Sequence, residues 1–202
     1  MTSDPIGRLR AASVAIQRAK QGVPRRGVRH DDVDDSVGTF GTDDAIDFDP
    51  FPMLALMQES GADYAIFGQA AGIMHGSREL TGDLDILWDP ARSEVAQMAE
   101  VLSQVDHLWL RADEHRVITD ITFGLALPKL YFEGLGCAGD LCTPLLPWGG
   151  LDVCSILSRK IVAVSESLSV PYVDLDDLIA MRREVGGTKH LRRAQELERL
   201  RG

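Results

Sequence analysis

Between Tyr64 and Trp88 the chain reads YAIFGQAAGIMHGSRELTGDLDILW. This is an apolar run, a Gly-Gln turn, a short helical stretch ending near His75-Gly76, and Asp83-Leu84-Asp85 set in a second apolar run. No other stretch constrains the fold as much, because strand, turn, helix and strand in this order require a sheet with a helix packed on it. Successive side chains of a strand project to opposite faces, so Asp83 and Asp85 share one face and Leu84 and Ile86 take the other. Neighbouring carboxylates repel unless a proton or a cation lies between them. A hard divalent cation suits such a pair, and Mg²⁺ commonly takes one or two carboxylates and completes its shell with substrate phosphates. Asp-x-Asp also occurs by chance on solvated strand edges of acidic chains. The preceding strand–turn–helix unit, and Gly68 where the backbone turns sharply or approaches another group, favour the metal reading.

These residues resemble the signature of the nucleotidyltransferase (DNA polymerase β-like) superfamily: an apolar strand, Gly followed by Gly or Ser, and Asp-x-Asp further on. Phe67-Gly68 and Asp83-Leu84-Asp85-Ile86 match it, with Ala70 to Gly82 between Gln69 and Asp83. His75-Gly76 and Thr81-Gly82 are similar to words of the small prokaryotic branch, which includes AbiEii-like and MenT-like toxins of toxin–antitoxin systems. Gln69 departs from the pattern, and its amide either contacts a phosphate or crowds it. The resemblance implies an α/β fold of the nucleotidyltransferase type, a mixed sheet flanked by helices. It implies Mg²⁺- or Mn²⁺-dependent transfer of a nucleoside monophosphate from an NTP to a hydroxyl, with release of pyrophosphate. The acceptor would be RNA, a protein or a small molecule, and a cognate antitoxin would be a partner. Asp83 and Asp85 would hold the metal, and the backbone at Gly68 and Gln69 would receive the triphosphate. Ser77 and Thr81 read as hydrogen-bond donors to phosphate or, equally, as caps of the loop.

Activating the acceptor hydroxyl calls for a third carboxylate, as metal ligand or proton acceptor. Asp152, in Gly149-Gly150-Leu151-Asp152-Val153, and Asp120, in Ile118-Thr119-Asp120-Ile121, both alternate with apolar residues. Asp152 is preferred as catalytic residue and metal ligand, because a carboxylate flanked by buried strand residues needs a partner; the branch's Gly-x-hydrophobic-Asp word is also approximated there. The segment Val173 to Leu197 resembles the branch's C-terminal helix pair, although its charged words are altered. Arg182 and Lys189 are the residues placed to reach triphosphate oxygens, for which cationic donors are well suited. His75 reads as a structural histidine or an aid to phosphate binding. Trp88, Trp109 and Trp148 read as core or hairpin aromatics or as stacking partners for a base, and Lys160 as a helix-surface lysine or a phosphate neutraliser.

The 202 residues leave room for one ordinary domain with a real core, and 45% hydrophobic with 26% charged residues is a soluble globular composition. No run has the length of a membrane span, and no signal peptide's apolar core opens the chain. Cys137, Cys142 and Cys154 form no Cys-x-x-Cys word, so reduced thiols in a cytoplasmic protein are expected. A net charge of −10 argues against broad nonspecific binding to nucleic acid. Residues 31 to 49 hold eight Asp and no Lys or Arg, whereas 182 to 201 hold seven Lys or Arg against three Glu. The basic stretch reads as the exposed face of a terminal helix, with an RNA or nucleotide phosphate as the sharper alternative. Residues 1–50 are expected to form an acidic, flexible arm, because 21–50 buries too little apolar surface to offset ordering entropy. Residues 51–202 would be the nucleotidyltransferase-like domain.

Apolar spacing predicts helices at 6–20 and 92–105, a basic helix at 189–201, and a helix containing Leu178, Ile179 and Met181 that Asp174 or Asp176 can cap. Strands are expected at 64–67, around Asp83–Ile86, at 107–110, 117–123 and 170–173. Residues 141–155 read as a hairpin and 158–167 as a helix, while 128–140 stay unassigned. Two competing functions remain open: a degenerate relative that binds nucleotide or a partner without turnover, and a nucleic-acid-binding, antitoxin-like module that uses the basic helix.

Overall fold

Apolar strands next to one another form the middle of a seven-stranded mixed sheet. Strand β1 (Tyr64–Ile66) is wholly buried and pairs antiparallel with β2 (Leu84–Trp88) in the register Tyr64↔Trp88 and Ile66↔Ile86. On its far side β2 runs parallel to β5 (Cys137–Cys142), which sets Asp85 opposite Asp140. Beyond β5 lie β4 (Lys129–Gly134) and β3 (His107–Trp109), both antiparallel steps; beyond β1 lie β7 (Leu168–Tyr172) and β6 (Ile161–Ser165). The computed structural model describes residues 4–28, 38–110 and 117–201.

Helices flank this sheet, so the fold is the α/β, mixed-sheet architecture expected. Helix α1 is Pro5–Lys20, α2 Phe51–Ser60, α3 Gly68–His75 and α4 Val95–Leu102. Short helices α5 (Ile121–Leu125) and α6 (Val153–Ser158) follow, and α7 (Leu175–Val185) and α8 (Gly187–Arg201) pack together at the end. Asp174 caps α7 by accepting the Asp176 N–H. Among the described residues no helix is long and apolar enough to cross a membrane.

Where the structure describes the 1–50 stretch, at residues 4–28 and 38–50, the chain packs on the rest of the protein; residues 1–3 and 29–37 lie outside the described residues. Asp4 caps α1 through the Gly7 N–H, Pro5 occupies the first turn, and Ile6, Leu9 and Ile16 are buried in the main core. Val14 faces solvent instead, and Ser13 takes the inward position, donating to the Phe48 carbonyl at 2.9 Å. Arg8 Nε donates to the Met74 carbonyl at 2.9 Å, tying α1 to α3. The polar stretch after α1 is ordered by hydrogen bonds: the Asp43 carboxylate accepts the N–H groups of Arg26 and Gly27. Ala45 and Phe48 add apolar anchors. Composition understated this segment because its polar groups are satisfied by the rest of the protein rather than by water.

One unassigned stretch is placed, and three local expectations are corrected. Residues 128–140 hold the β4–β5 hairpin, closed by Leu135 and Gly136, both at positive φ (52° and 80°). That is the backbone of a two-residue primed turn, with Leu where Asn or Asp is the usual signal. The proposed 141–155 hairpin is the end of β5, a loop and the start of α6. The proposed 158–167 helix is mostly β6, whose β-branched Ile161, Val162 and Val164 suit a strand. Finally, 117–123 contributes one bridge residue, Val117 opposite Trp109, and then enters α5. Leu9→Ala should cost about 2–5 kcal/mol of stability, the usual range for a fully buried Leu. Chemical denaturation measures it, and a loss below about 0.5 kcal/mol, the size of a surface change, would show that α1 contributes little to the fold.

Candidate functional site

The site begins where β1 becomes α3. Phe67 ends the strand by donating its N–H to the Asp85 carbonyl at 3.0 Å, and the chain then turns at Gly68, φ +63°. A Cβ on residue 68 would lie 1.7 Å from Asp85 Oδ2, so only glycine lets the start of α3 press against that carboxylate. The unpaired N–H groups of a first helical turn favour negative charge nearby. Here the nearest negative charge is a protein carboxylate.

Asp83 lies one residue before β2 and is buried; Asp85 lies within β2 and remains partly open to a cleft. Burial, then the Asp83 and Asp140 charges, push the Asp85 carboxyl well above the usual carboxylate range, against the opposing pull of Lys129 and Arg182. Asp140 is buried and in register with Asp85, and its Oδ2 is 2.8 Å from Lys129 Nζ. Burial opposes the Lys129 charge, but Asp140 outweighs it and raises the ammonium pKa.

The cleft has a volume of about 220 Å³ and a mixed lining: the three carboxylates, Lys129, Lys189 and Arg193, together with the apolar Phe67, Trp148, Leu178, Met181 and Val185. Trp148 meets Phe67 edge-on with ring centroids 5.7 Å apart, and its Nε1 donates to the Thr143 carbonyl at 2.8 Å. Gly150 N–H donates to Glu184 on α7, fastening the turn that carries Trp148.

Asp152 does not reach this cleft. It is exposed and caps α6, accepting Ser155 N–H at 3.1 Å and Ser155 Oγ–H at 2.6 Å. Asp120 likewise is exposed and caps α5 through the Phe123 N–H. Both alternating patterns are therefore Asx caps, with the donor three residues on. The third carboxylate is Asp140, in the stretch to which the sequence assigned no element.

Three of the expected phosphate ligands turn inward. Gln69 is buried; its Nε2 donates to Ser77 Oγ (2.9 Å) and the Glu79 carbonyl (2.7 Å), and its Oε1 accepts Arg182 NH2 at 2.8 Å. Ser77 Oγ donates to Glu196 Oε2 at 2.8 Å. Thr81 is fully buried and its hydroxyl reaches Asp83 Oδ1. Arg182 also lines the cleft, yet its NH2 donates to the Gly68 carbonyl at 2.8 Å. Burial, then Arg193, brings its pKa down to about 10, so it keeps its charge at neutral pH. Lys189 does line the cleft, as expected.

The other sequence candidates are structural. His75 Nε2 pairs with the Val173 carbonyl and its ring packs on Tyr172; Trp88 is core, Trp109 packs on Tyr131, and Lys160 pairs with Asp63 outside the cleft. On the basic C-terminal stretch Arg183 pairs with Glu198, Arg201 with Asp176 and Arg192 with Glu79, leaving a largely self-neutralised helix face. Sequence reasoning missed Asp140, Lys129 and Thr39. An Asp in an apolar run, Ala138 to Leu141, was the available signal for the first.

Among the described residues, no group of three or more His, Cys, Asp and Glu is disposed to hold a metal ion by itself. The donor chemistry nevertheless fits a hard cation that takes one or two carboxylates and completes its shell with phosphate and water. Asp83 and Asp85 offer oxygen donors, and burial and the Asp83 charge together disfavour a second bare negative charge on Asp85. No family model matches the chain, and no curated protein matches it.

Gly68→Ala should disturb both fold and site, because the methyl would occupy the Asp85 carboxylate's place and φ +63° is strained for alanine. A melting temperature equal to wild type would contradict the close approach. A second outcome concerns Glu79. Burial raises its carboxyl pKa, but the Arg193 and Arg192 guanidiniums outweigh that and hold it below the usual range. The stability it contributes is present above the unfolded carboxylate pKa and is lost as pH falls through the folded value. Glu79→Gln should flatten the acid limb of a stability–pH curve, and an unchanged limb would remove Glu79 from that account.

Proposed function

We propose that the chain is a divalent-cation-dependent nucleotidyltransferase that moves a nucleoside monophosphate from an NTP to an acceptor hydroxyl. The observation that carries this reading is the meeting of the α3 N-terminus, through Gly68, with the carboxylate of Asp85 beside Asp83 and Asp140. A helix start invites an anion and the carboxylates invite a cation. A cation-bridged phosphate satisfies both.

Asp83 and Asp85 would hold Mg²⁺ or Mn²⁺, which when bound polarises the phosphoryl oxygens and offsets their charge. The backbone at Gly68 and Gln69 would face the triphosphate, while Lys189 and Arg193 supply positive charge from α8. Asp140, oriented by Lys129, would take the proton from the attacking hydroxyl or complete the cation's shell. Arg182 and Gln69 fix the Gly68 turn from behind rather than contacting phosphate. The apolar lining at Phe67 and Trp148 gives a base a surface to lie on.

Incubation with each labelled NTP, Mg²⁺ and a cell extract tests the reading: label should enter RNA, protein or a small molecule, with pyrophosphate released. Asp85→Asn and Asp140→Asn should each reduce turnover by at least about 10²-fold, the scale of losing a charge-stabilising or proton-accepting group. Asp152→Asn should keep turnover within about threefold, since Asn caps a helix about as well as Asp and residue 152 touches no substrate. Nucleotide binding without pyrophosphate release would identify a binding protein instead. Salt-sensitive nucleic-acid binding that survives Asp83→Asn and Asp85→Asn would point to the nucleic-acid module.

A further inference from the structure

A segment 44 residues upstream of Asp83 reaches that carboxylate. Thr39 lies in the 3-10 turn Gly38–Gly41, is buried, and lines the cleft. Its Oγ1 donates to Asp83 Oδ1 at 2.8 Å and accepts the Gly82 N–H at 3.2 Å. The Thr81 hydroxyl, 2.7 Å from Thr39 Oγ1, reaches the same Asp83 oxygen. Two hydroxyls on one carboxylate oxygen fix the rotation of the group and commit that oxygen to the protein.

The approach depends on a bare backbone at residue 82. A Cβ there would lie 2.5 Å from Ala45 Cβ and 2.6 Å from the Thr39 carbonyl oxygen. The segment is held from its own side as well. Thr42 Oγ1 donates to the Thr39 carbonyl at 2.7 Å, and the Asp43 carboxylate accepts Arg26 and Gly27 N–H groups. The contact is thus braced on both flanks and is not a passing surface touch.

We propose that Thr39 is a positioning residue for the cation site, orienting Asp83, so that residues 38–45 belong to the working cleft. This rests on the reading of Asp83 and Asp85 as a cation site. Partners that orient metal-ligating carboxylates typically change affinity by 10–100-fold when removed. The hydroxyl itself, rather than the bulk of the side chain, carries the effect.

Mn²⁺ titration of the full-length protein, followed by the electron paramagnetic resonance of free Mn²⁺, tests this, with circular dichroism melts on every variant. Thr39→Val should weaken Mn²⁺ binding by about 10–100-fold, and Thr39→Ser should restore it to within about threefold. Thr39→Ala runs alongside, so that a folding failure of the valine variant does not decide the result. Ser13→Ala removes a buried hydrogen bond, to the Phe48 carbonyl, that holds the same N-terminal region without touching Thr39 or Asp83, and should leave Mn²⁺ affinity unchanged. Wild-type affinity in folded Thr39→Val or Thr39→Ala overturns the proposal while leaving the cation site standing. Equal weakening in Ser13→Ala overturns it too, by assigning the effect to loosening of the N-terminal region. Wild-type protein that binds no Mn²⁺, with or without NTP, overturns both this proposal and the cation-site reading.

Discussion

Asp85 occupies the space that a side chain at residue 68 would need, and much of the molecule is arranged around that contact. The β1–β2 pairing brings the end of one strand to the start of the other, and Phe67 N–H to Asp85 carbonyl locks the crossing. Parallel pairing of β2 with β5 then sets Asp140 level with Asp85. Three carboxylates at one end of adjoining strands repel one another, and burial worsens the repulsion by removing water. Such a cluster persists only where the surrounding packing holds it, and α3, α7 and the 38–45 segment all brace it.

Gln69 shows how a local substitution can be absorbed. A bulky amide beside the helix start would crowd a bound anion if it pointed into the cleft. Its amide is instead turned inward between Ser77, the Glu79 carbonyl and Arg182. Arg182 in turn holds the Gly68 carbonyl, and Ser77 is tied to Glu196 on α8. One buried chain of hydrogen bonds therefore links the turn at Gly68 to both C-terminal helices. A buried network of this kind rigidifies a site, even with Arg182 Nε left without a hydrogen-bond partner. Arg182 acts here as a support for the turn, which a count of cations along the sequence cannot reveal.

What could be read from sequence was whatever local pattern determines. The strand–turn–helix–strand order from Tyr64 to Trp88, the glycine at 68, and helices α1, α4, α7 and α8 all follow from periodicity and capping. The failures have both local and long-range causes. Leu151-Asp152-Val153 and Thr119-Asp120-Ile121 alternate as strands do, but a donor three residues on makes each Asp a helix cap. Asp140 went unassigned because its hairpin turns on Leu135 at φ 52°, a residue that gives no turn signal. The 38–49 segment looked too polar to order, yet Asp43 and Thr39 find their partners in other parts of the chain. Long-range pairing decides the last of these, and no window of sequence contains it.

Charge sets the last constraint. The groups that act most on Asp85 are the carboxylates of Asp83 and Asp140 and the cations of Lys129 and Arg182. With all of them ionised, three carboxylates face two cations. That excess of one negative charge adds to burial in raising the Asp85 carboxyl pKa. A divalent ion in the same place would reverse the balance, leaving one positive charge toward the cleft. A phosphate is the natural complement to that charge, and Lys189 and Arg193 on α8 extend the attraction along the cleft. A nucleotide bound without the cation would instead meet the repelling carboxylates. Cation and phosphate are thus expected to bind together, each supplying what the other's site lacks.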